Sequence, residues 1–483
     1  MNFTLSLVFV MSLIEELKTI LGDQNVLTGA DRKRYSSDWL GQYRFEPLCV
    51  VRPASTEEVA EVVRLAGFLK VNIVPVGGNT GLNGGTHSDG AISISMERMN
   101  KIVEVRSSSK LAIVEAGVIL SNLHQVVNEN DLIFPLTFGA RGSATVGGVL
   151  STNAGGSNVL KYGNTRDLVL GVEMVLPNGE IMNLMSELHK DNSGYCLRDL
   201  VIGAEGTLGI ITKAVVKLFP KPKAYATAMI AVKSLDSALA LLNELQDGTG
   251  GAVAAYEYMP KRYIRGHMEL SSSSKKPFEK DYEHLVMVEL ETTVELFSRY
   301  GDDGKTLLSG ELERILNKNL NEDFILDAHI AQNEEQRLIM WERREAAAEI
   351  SLLKKPIINN DIAVPLDKVS KFLTVMEQKL PDLDPDADVL IVSHLGDGNV
   401  HYTVWPSKDD EKHKDKIMET IENVVISLGG SFSAEHGIGL SKLSSMERRK
   451  DRTALKVMRK VKNAIDPEGI MNPGKVLPKV KKA

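Results

Sequence analysis

Five glycines fall within the nine residues Gly77-Gly78-Asn79-Thr80-Gly81-Leu82-Asn83-Gly84-Gly85. Such a density rules out a regular helix or strand and leaves a loop whose backbone can approach a ligand closely. Successive N–H groups in such a loop can turn toward an anion. The apolar run VNIVPV precedes it and the alternating run AISISM follows, so the loop joins two predicted strands. It is not a Walker A loop, because no Gly-Lys-Ser/Thr follows. Nor is it a Rossmann fingerprint, because a strand at 91–95 stands where a helix should begin. For this segment alone, a plain glycine-rich turn is the competing reading.

A second run has the same character. It extends from Pro135-Leu136-Thr137-Phe138-Gly139 through Gly142-Ser143-Ala144-Thr145-Val146-Gly147-Gly148 to Thr152-Asn153-Ala154-Gly155-Gly156. Two amide-rich loops in one domain suit a ligand with a pyrophosphate and extended rings better than a single phosphate. A dinucleotide such as FAD fits that description.

A chain of 483 residues is too long for one core and points to two or three domains. Its 57 basic and 64 acidic residues give a net charge of −7 without a basic stripe, which argues against nucleic acid as a partner. Cys49 and Cys196 make no disulfide framework and fit a reducing compartment. MNFTLSLVFV at the start is apolar but lacks a positive n-region and an A-x-A site, and it is too short to span a bilayer. Met11 opens a more ordinary amphipathic helix, so the first ten residues read as an upstream start and the protein as cytoplasmic. SSSSKK at 271–276 and the KVKKA ending read as solvated loop and tail.

The pattern of elements predicts an α+β chain. Residues 1–45 form an N-terminal helical segment and 46–221 a first domain with both glycine loops, closed by strands at 169–176 and 209–218. Pro220-Lys221-Pro222 is the boundary, because two prolines stop regular pairing. Residues 222–412 form an α+β second domain, with helices in LDSALALLNELQ and QNEEQRLIMWERREAAAEISLL and strands in YATAMIAV, HLVMVEL and FILDAHI. Residues 413–483 are a C-terminal helical segment.

VLIVSHLGDGNVHYTVW places an Asp-Gly pair between two apolar runs, a strong hairpin signal. With Asp397 and Gly398 as the two loop residues, His394 and His401 become directly opposed, with Cβ atoms roughly 5 Å apart. Two imidazoles that close can share a divalent metal, although a satisfied pair in a sheet is the competing reading. Ser433-Ala434-Glu435-His436-Gly437-Ile438-Gly439 adds a carboxylate and a third imidazole, which alone would read as an exposed loop pair.

PVGGNTGLNGG, the ATVGG–TNAGG segment, GAEGTLGIIT, HLGDGNVH, SAEHGIG and MNPGKVLP occur in one order. In that order they resemble the FAD-linked oxidases with the fold of vanillyl-alcohol oxidase and p-cresol methylhydroxylase. Within them the chain is similar to the D-2-hydroxyacid dehydrogenases, over about residues 12 to 478. The resemblance implies a two-subdomain FAD-binding domain, an α+β substrate domain and a C-terminal helical segment. It implies that Pro75, Gly77, Gly78, Asn79, Thr80, Gly81 and Gly84 surround the pyrophosphate side of FAD. Pro135, Leu136, Thr137, Gly139, Ser143, Thr145, Gly148, Thr152 and Asn153 would line the rest, with Glu205, Gly209, Ile210 and Asn472. Asn79 stands where covalently flavinylated relatives carry histidine in a related loop, so the flavin is expected to be noncovalent.

The same resemblance makes His394, His401 and Glu435 ligands of a divalent metal, with Zn²⁺ the first expectation and Mn²⁺ or Fe²⁺ open. It makes His436 the base, Arg344 the cation for substrate carboxylate and Asn399 a second substrate contact; Arg343 reads as a solvated helix face. The implied reaction is oxidation of a D-2-hydroxy acid, D-2-hydroxyglutarate first. D-lactate dehydrogenase or a glycolate-oxidase-like flavin subunit are alternatives, and a non-catalytic flavoprotein with a structural metal is a remote one. Ala348 and Asn359 stand where the hydroxyglutarate enzymes place Thr and Lys, which keeps a monoacid substrate in view. An electron-transfer flavoprotein or a quinone is the expected electron acceptor, with peripheral membrane association through it, and a homodimer is possible.

Overall fold

The computed structural model describes residues 2–270 and 274–479. Residues 271–273 of the SSSSKK run and 480–483 of the KVKKA ending therefore lie outside the described residues. Among the described residues no helix is long and apolar enough to cross a membrane.

The first half contains two sheets. Cys49–Val51, Ile92–Ser95 and Ile73–Val76 run parallel, with Val26–Leu27 antiparallel at one edge. Helix Thr56–Leu69 supplies the crossover, and Ser55 caps it by accepting the Glu58 N–H. Parallel strands are covered on both faces, so the serines alternating through Ile92–Ser95 do not mark a solvent face. Ser93 and Ser95 are both buried, and Ser93 donates to or accepts from Ser88 at 2.6 Å. The second sheet is antiparallel, in the order Ile102–Arg106, Leu111–Glu115, Ile210–Lys217, Val169–Val175, Ile181–Leu184. The two-subdomain arrangement is thus present, and the glycine loops lie between the sheets.

The second half is one seven-stranded antiparallel sheet. Its order is Ile325–Ile330, Ala224–Val232, His284–Thr292, Val253–Tyr258, Asp388–His394, Asn399–Trp405, Ile358–Ala363. Helices Leu235–Gly248, Leu307–Asn321 and Val369–Leu383 cover one face through Leu241, Leu312 and Phe372. Helix Glu334–Glu345 lies on the other side, near Met229 and Met287, through Met340.

Three local expectations change. Pro220 does not stop pairing at once, because Phe219–Pro220 forms a short ladder with Leu132–Ile133. The helix expected through the QNEEQRLIMWERREAAAEISLL run breaks into Glu334–Glu345 and Ala347–Ser351. The C-terminal segment is shared between the two halves. Helix Glu411–Ser427 packs Ile417, Ile421 and Val425 into the second core, whereas Ile470 and Met471 return to the first beside Ile73.

Candidate active site

A cavity of about 1590 Å³ runs between the glycine loops and the inner face of the seven-stranded sheet. Every predicted cofactor residue lines it except Gly84, Leu136 and Asn153. Those three are engaged in the walls: Gly84 lies against the Tyr43 ring, the Leu136 carbonyl meets His124 Nε2, and Asn153 Oδ1 accepts the Arg166 N–H. The two loops touch each other, since a Cβ on Gly78 would sit 1.9 Å from the Ser143 carbonyl oxygen. The N–H groups of Asn79, Thr80 and Gly81 meet no other described residue and remain for a ligand. Asn79 itself is held in a left-handed conformation, donating to the Ser37 carbonyl and accepting from Thr86.

One observation tests whether this cavity fits a flavin dinucleotide. Asn472 is buried, lines the cavity, and spends its NH₂ on the Gly85 and Glu205 carbonyls. Its Oδ1 is buried with no protein partner, as expected of an acceptor kept for a bound molecule.

The hairpin register differs from the expectation. His394 pairs with Asn399 and Val392 with His401, so the loop is the four residues Leu395 to Gly398. The Asp397 N–H closes a turn onto the His394 carbonyl, Asp397 Oδ1 accepts the Asn399 N–H, and Gly398 takes φ +79°. A four-residue loop built on such a turn replaces the two-residue one. The difference is an even number of residues, so the face is preserved. His394 and His401 are diagonal neighbours with ring centroids 5.4 Å apart.

Glu435 meets them from the C-terminal loop. Its Oε1 lies 3.5 Å from His401 Nε2, 3.5 Å from His436 Nε2 and 4.0 Å from His394 Nε2. The His401 and His436 rings stack at 5.3 Å. The far nitrogens face carboxylates: His394 Nδ1 is 2.9 Å from Glu257, His401 Nδ1 3.9 Å and His436 Nδ1 3.8 Å from Asp361. Imidazoles aimed at one point, with acids behind them, could hold a divalent metal ion. One atom each from Asp361, His401, Glu435 and His436 falls within 4.8 Å of the others.

The electrostatics divide these groups. Burial, aided by the neighbouring His436 and His394, pushes His401 down to about 3, so it is neutral and suited to ligation. Burial alone would raise Glu435, but the hydrogen bond from His436 and the adjacent His394 hold it at about 2. His436 is likewise opposed by burial, yet the Asp361 and Glu435 carboxylates hold it above its ordinary value, which makes it a stronger proton acceptor than a free imidazole.

Arg344 projects from helix Glu334–Glu345, whose N-terminus Asn333 caps through the Gln336 N–H. Its Nε is 2.5 Å from Glu257 and its Nη2 lies 3.3 Å from His394. It lines the cavity beside the histidines. Arg343 is not solvated as expected: it is 4% exposed and donates to the Lys275 carbonyl. Asn399 does not reach the cavity, because its NH₂ donates to Asp361 Oδ1 and the Ile362 carbonyl. Asn359 and Ala348 line the cavity, with Asn359 Oδ1 accepting from Thr403 at 3.1 Å.

Asp361 and Glu257 were not singled out in the sequence. Each is a charged residue inside a strand for which the sequence pattern gave no expectation, Ile358–Ala363 and Val253–Tyr258, and neither belongs to a motif.

The loop bearing Glu435 and His436 is gripped from both halves. Asp361 Oδ2 accepts the Glu435 and His436 N–H groups at 3.0 and 2.8 Å. From the flavin side, Asn83 Nδ2 donates to the His436 and Gly437 carbonyls, and Glu205 accepts the Ile438 and Gly439 N–H groups at 2.7 Å each. Burial raises Glu205 against those two N–H donors. An Arg141–Glu345 ion pair of 2.5 Å also crosses between the halves at the cavity.

A two-subdomain dinucleotide cradle facing an antiparallel sheet, with titratable side chains converging between them, defines a flavin-dependent oxidoreductase. The chain belongs to the FAD-linked oxidases: their C-terminal domain matches residues 221–476 and an FAD binding domain matches residues 47–185. A D-2-hydroxyglutarate dehydrogenase of Stutzerimonas stutzeri is 32% identical over 96% of this chain and 98% of its own length. A putative mitochondrial D-lactate dehydrogenase of Schizosaccharomyces pombe is 30% identical over 96% of this chain and 89% of its own. The fold is that of p-cresol methylhydroxylase, solved with substrate bound, at TM-score 0.75 and 15% identity, covering 98% of this chain and 97% of that one.

Proposed function

We propose that this chain oxidises a D-2-hydroxy acid to the 2-oxo acid, with FAD held noncovalently and a divalent cation held by His394, His401 and Glu435. The observation that carries this reading is the convergence of three imidazole Nε2 atoms on Glu435 Oε1 in the cavity lined by both glycine loops. When bound, the flavin supplies the hydride acceptor at N5 and the cation, zinc first, acidifies the substrate hydroxyl.

The chain's residues do the rest. Arg344 presents a cation for the substrate carboxylate, with Glu257 fixing the guanidinium. His436 accepts the hydroxyl proton, and the Asp361 carboxylate near its Nδ1 stabilises the imidazolium that results. Electrons then leave for an external acceptor of flavoprotein or quinone type.

D-2-hydroxyglutarate, which the Stutzerimonas relative's name gives, is the first substrate to try. A D-2-hydroxy monoacid such as D-lactate is the second reading, favoured by the uncharged Asn359, Thr403 and Ala348 in the cavity wall. The test is anaerobic mixing of flavin-loaded protein with D-2-hydroxyglutarate, D-lactate, D-malate, glycolate and the L-enantiomers. Bleaching of the flavin by a D-acid and not by its L-form is expected. No bleaching across the panel, with flavin and metal both present, would refute the enzymatic reading.

A further inference from the structure

Asp361 lies in strand Ile358–Ala363 and does not line the cavity, being 1% exposed. Polar groups nevertheless converge on it. Its Oδ2 accepts the backbone N–H groups of Ala434, Glu435 and His436 at 3.2, 3.0 and 2.8 Å. The same oxygen lies 3.4 Å from the buried ammonium of Lys442, which also donates to Ser433 at 2.9 Å. Oδ1 accepts Asn399 Nδ2 at 3.0 Å. Consecutive N–H groups around one oxygen form an anion nest, and here the anion is the protein's own carboxylate. Charge-assisted bonds of this kind are about twice as strong as neutral ones and fix the group they hold.

The carboxylate also stands behind two imidazoles. Nδ1 of His401 is 3.9 Å from Oδ1, and Nδ1 of His436 is 3.8 Å from Oδ2, while both Nε2 atoms point to Glu435. With both oxygens occupied by donors from strand and loop, Asp361 is spoken for on the side away from the cavity. We infer that Asp361 is a positioning residue and not a metal ligand: one carboxylate that sets the backbone of 434–436 and aims His401 and His436 together. This rests on the metal-and-base reading above, and it adds that ligand and base share a single support.

The experiment uses flavin-loaded protein and Zn²⁺ titrated against a chromophoric chelator. Asp361→Asn should weaken zinc binding by about 10- to 100-fold, as loss of a group behind a ligand does, with flavin content per protein unchanged. Equal zinc affinity in the variant and the parent, with flavin retained, overturns the inference. If Asp361→Asn loses zinc, flavin and its cooperative melt together, a milder variant decides. That variant is Asn399→Ala, which removes one donor to Oδ1 and leaves the three N–H donors in place. Weaker zinc binding with intact flavin supports the inference, and unchanged zinc binding refutes it. A parent that binds no zinc refutes the metal reading instead, and anaerobic flavin reduction then decides. A rate in Asp361→Asn lowered about 100-fold at unchanged KM supports positioning of the base, and an equal rate refutes it.

Discussion

Glu257 shows how much a single buried side chain can carry in this site. It is fully buried, and it holds both Arg344 Nε and His394 Nδ1. Burial would raise its carboxyl, but the charges of Arg344 and His394 hold it below the usual range. Glu257→Ala strands a buried guanidinium, which costs about 3–5 kcal/mol when a buried pair is broken. Denaturant unfolding should show that loss as a lowered midpoint at unchanged m. His436→Ala should behave differently, keeping its flavin spectrum and stability while anaerobic flavin reduction slows about 10²- to 10⁴-fold. A normal reduction rate in that variant would remove His436 from the role of base. The residues that line the cavity were legible because their types are rare and their motifs local. Those behind them were not, since an Asp or Glu inside a strand reads as a surface position until burial is known.

Helices and strands here obeyed their local signals better than their connections did. Ser55 caps helix Thr56–Leu69 by accepting the Glu58 N–H, as a serine ahead of two acidic residues should. The hairpin differs in its loop: Asp-Gly alone predicts a two-residue turn, whereas the observed loop also takes in Leu395 and Gly396, the latter close against Leu160 and Tyr256. Sequence periodicity still put both histidines on one face, which is all that the chemistry needs. A further tie between elements has a pH signature. Asp384, at the end of helix Val369–Leu383, accepts the Ser407 N–H and His413 Nε2 at 2.8 Å each. Burial would raise it, but these donors hold it at about 2, below the value near 3.9 expected when unfolded. Its stabilisation, on the order of 2 kcal/mol, is therefore complete above about pH 4 and lost as pH falls through 2. Urea midpoints of parent and Asp384→Asn should differ at neutral pH and converge near the acid end. A gap that persisted there would assign the effect to another group.

At the scale of the molecule, the site exists only where the two halves meet. Gly439 has φ +51°, and a Cβ on it would lie 2.1 Å from the Asn83 carbonyl oxygen. Gly439→Ala should therefore lift the 433–439 loop from the flavin half at a cost of about 1–3 kcal/mol. Substrate-driven flavin reduction should fall while the far-ultraviolet circular dichroism of the protein is retained; undiminished reduction would show that the closure is unnecessary. Motif order made the two halves legible, but no periodicity told that Glu205 and Asn83 would hold a loop more than two hundred residues away.

That distance bears on how the protein is made. Asn83 grips the His436 carbonyl across 353 positions, and Asn472, with its spare acceptor in the dinucleotide cavity, comes later still. A growing chain can complete both glycine loops and the first two sheets long before either residue leaves the ribosome. Tight flavin capture and hydroxyl-proton removal should therefore switch on together, after synthesis. Ribosome-bound chains halted before residue 430 should hold flavin weakly and stay redox-silent.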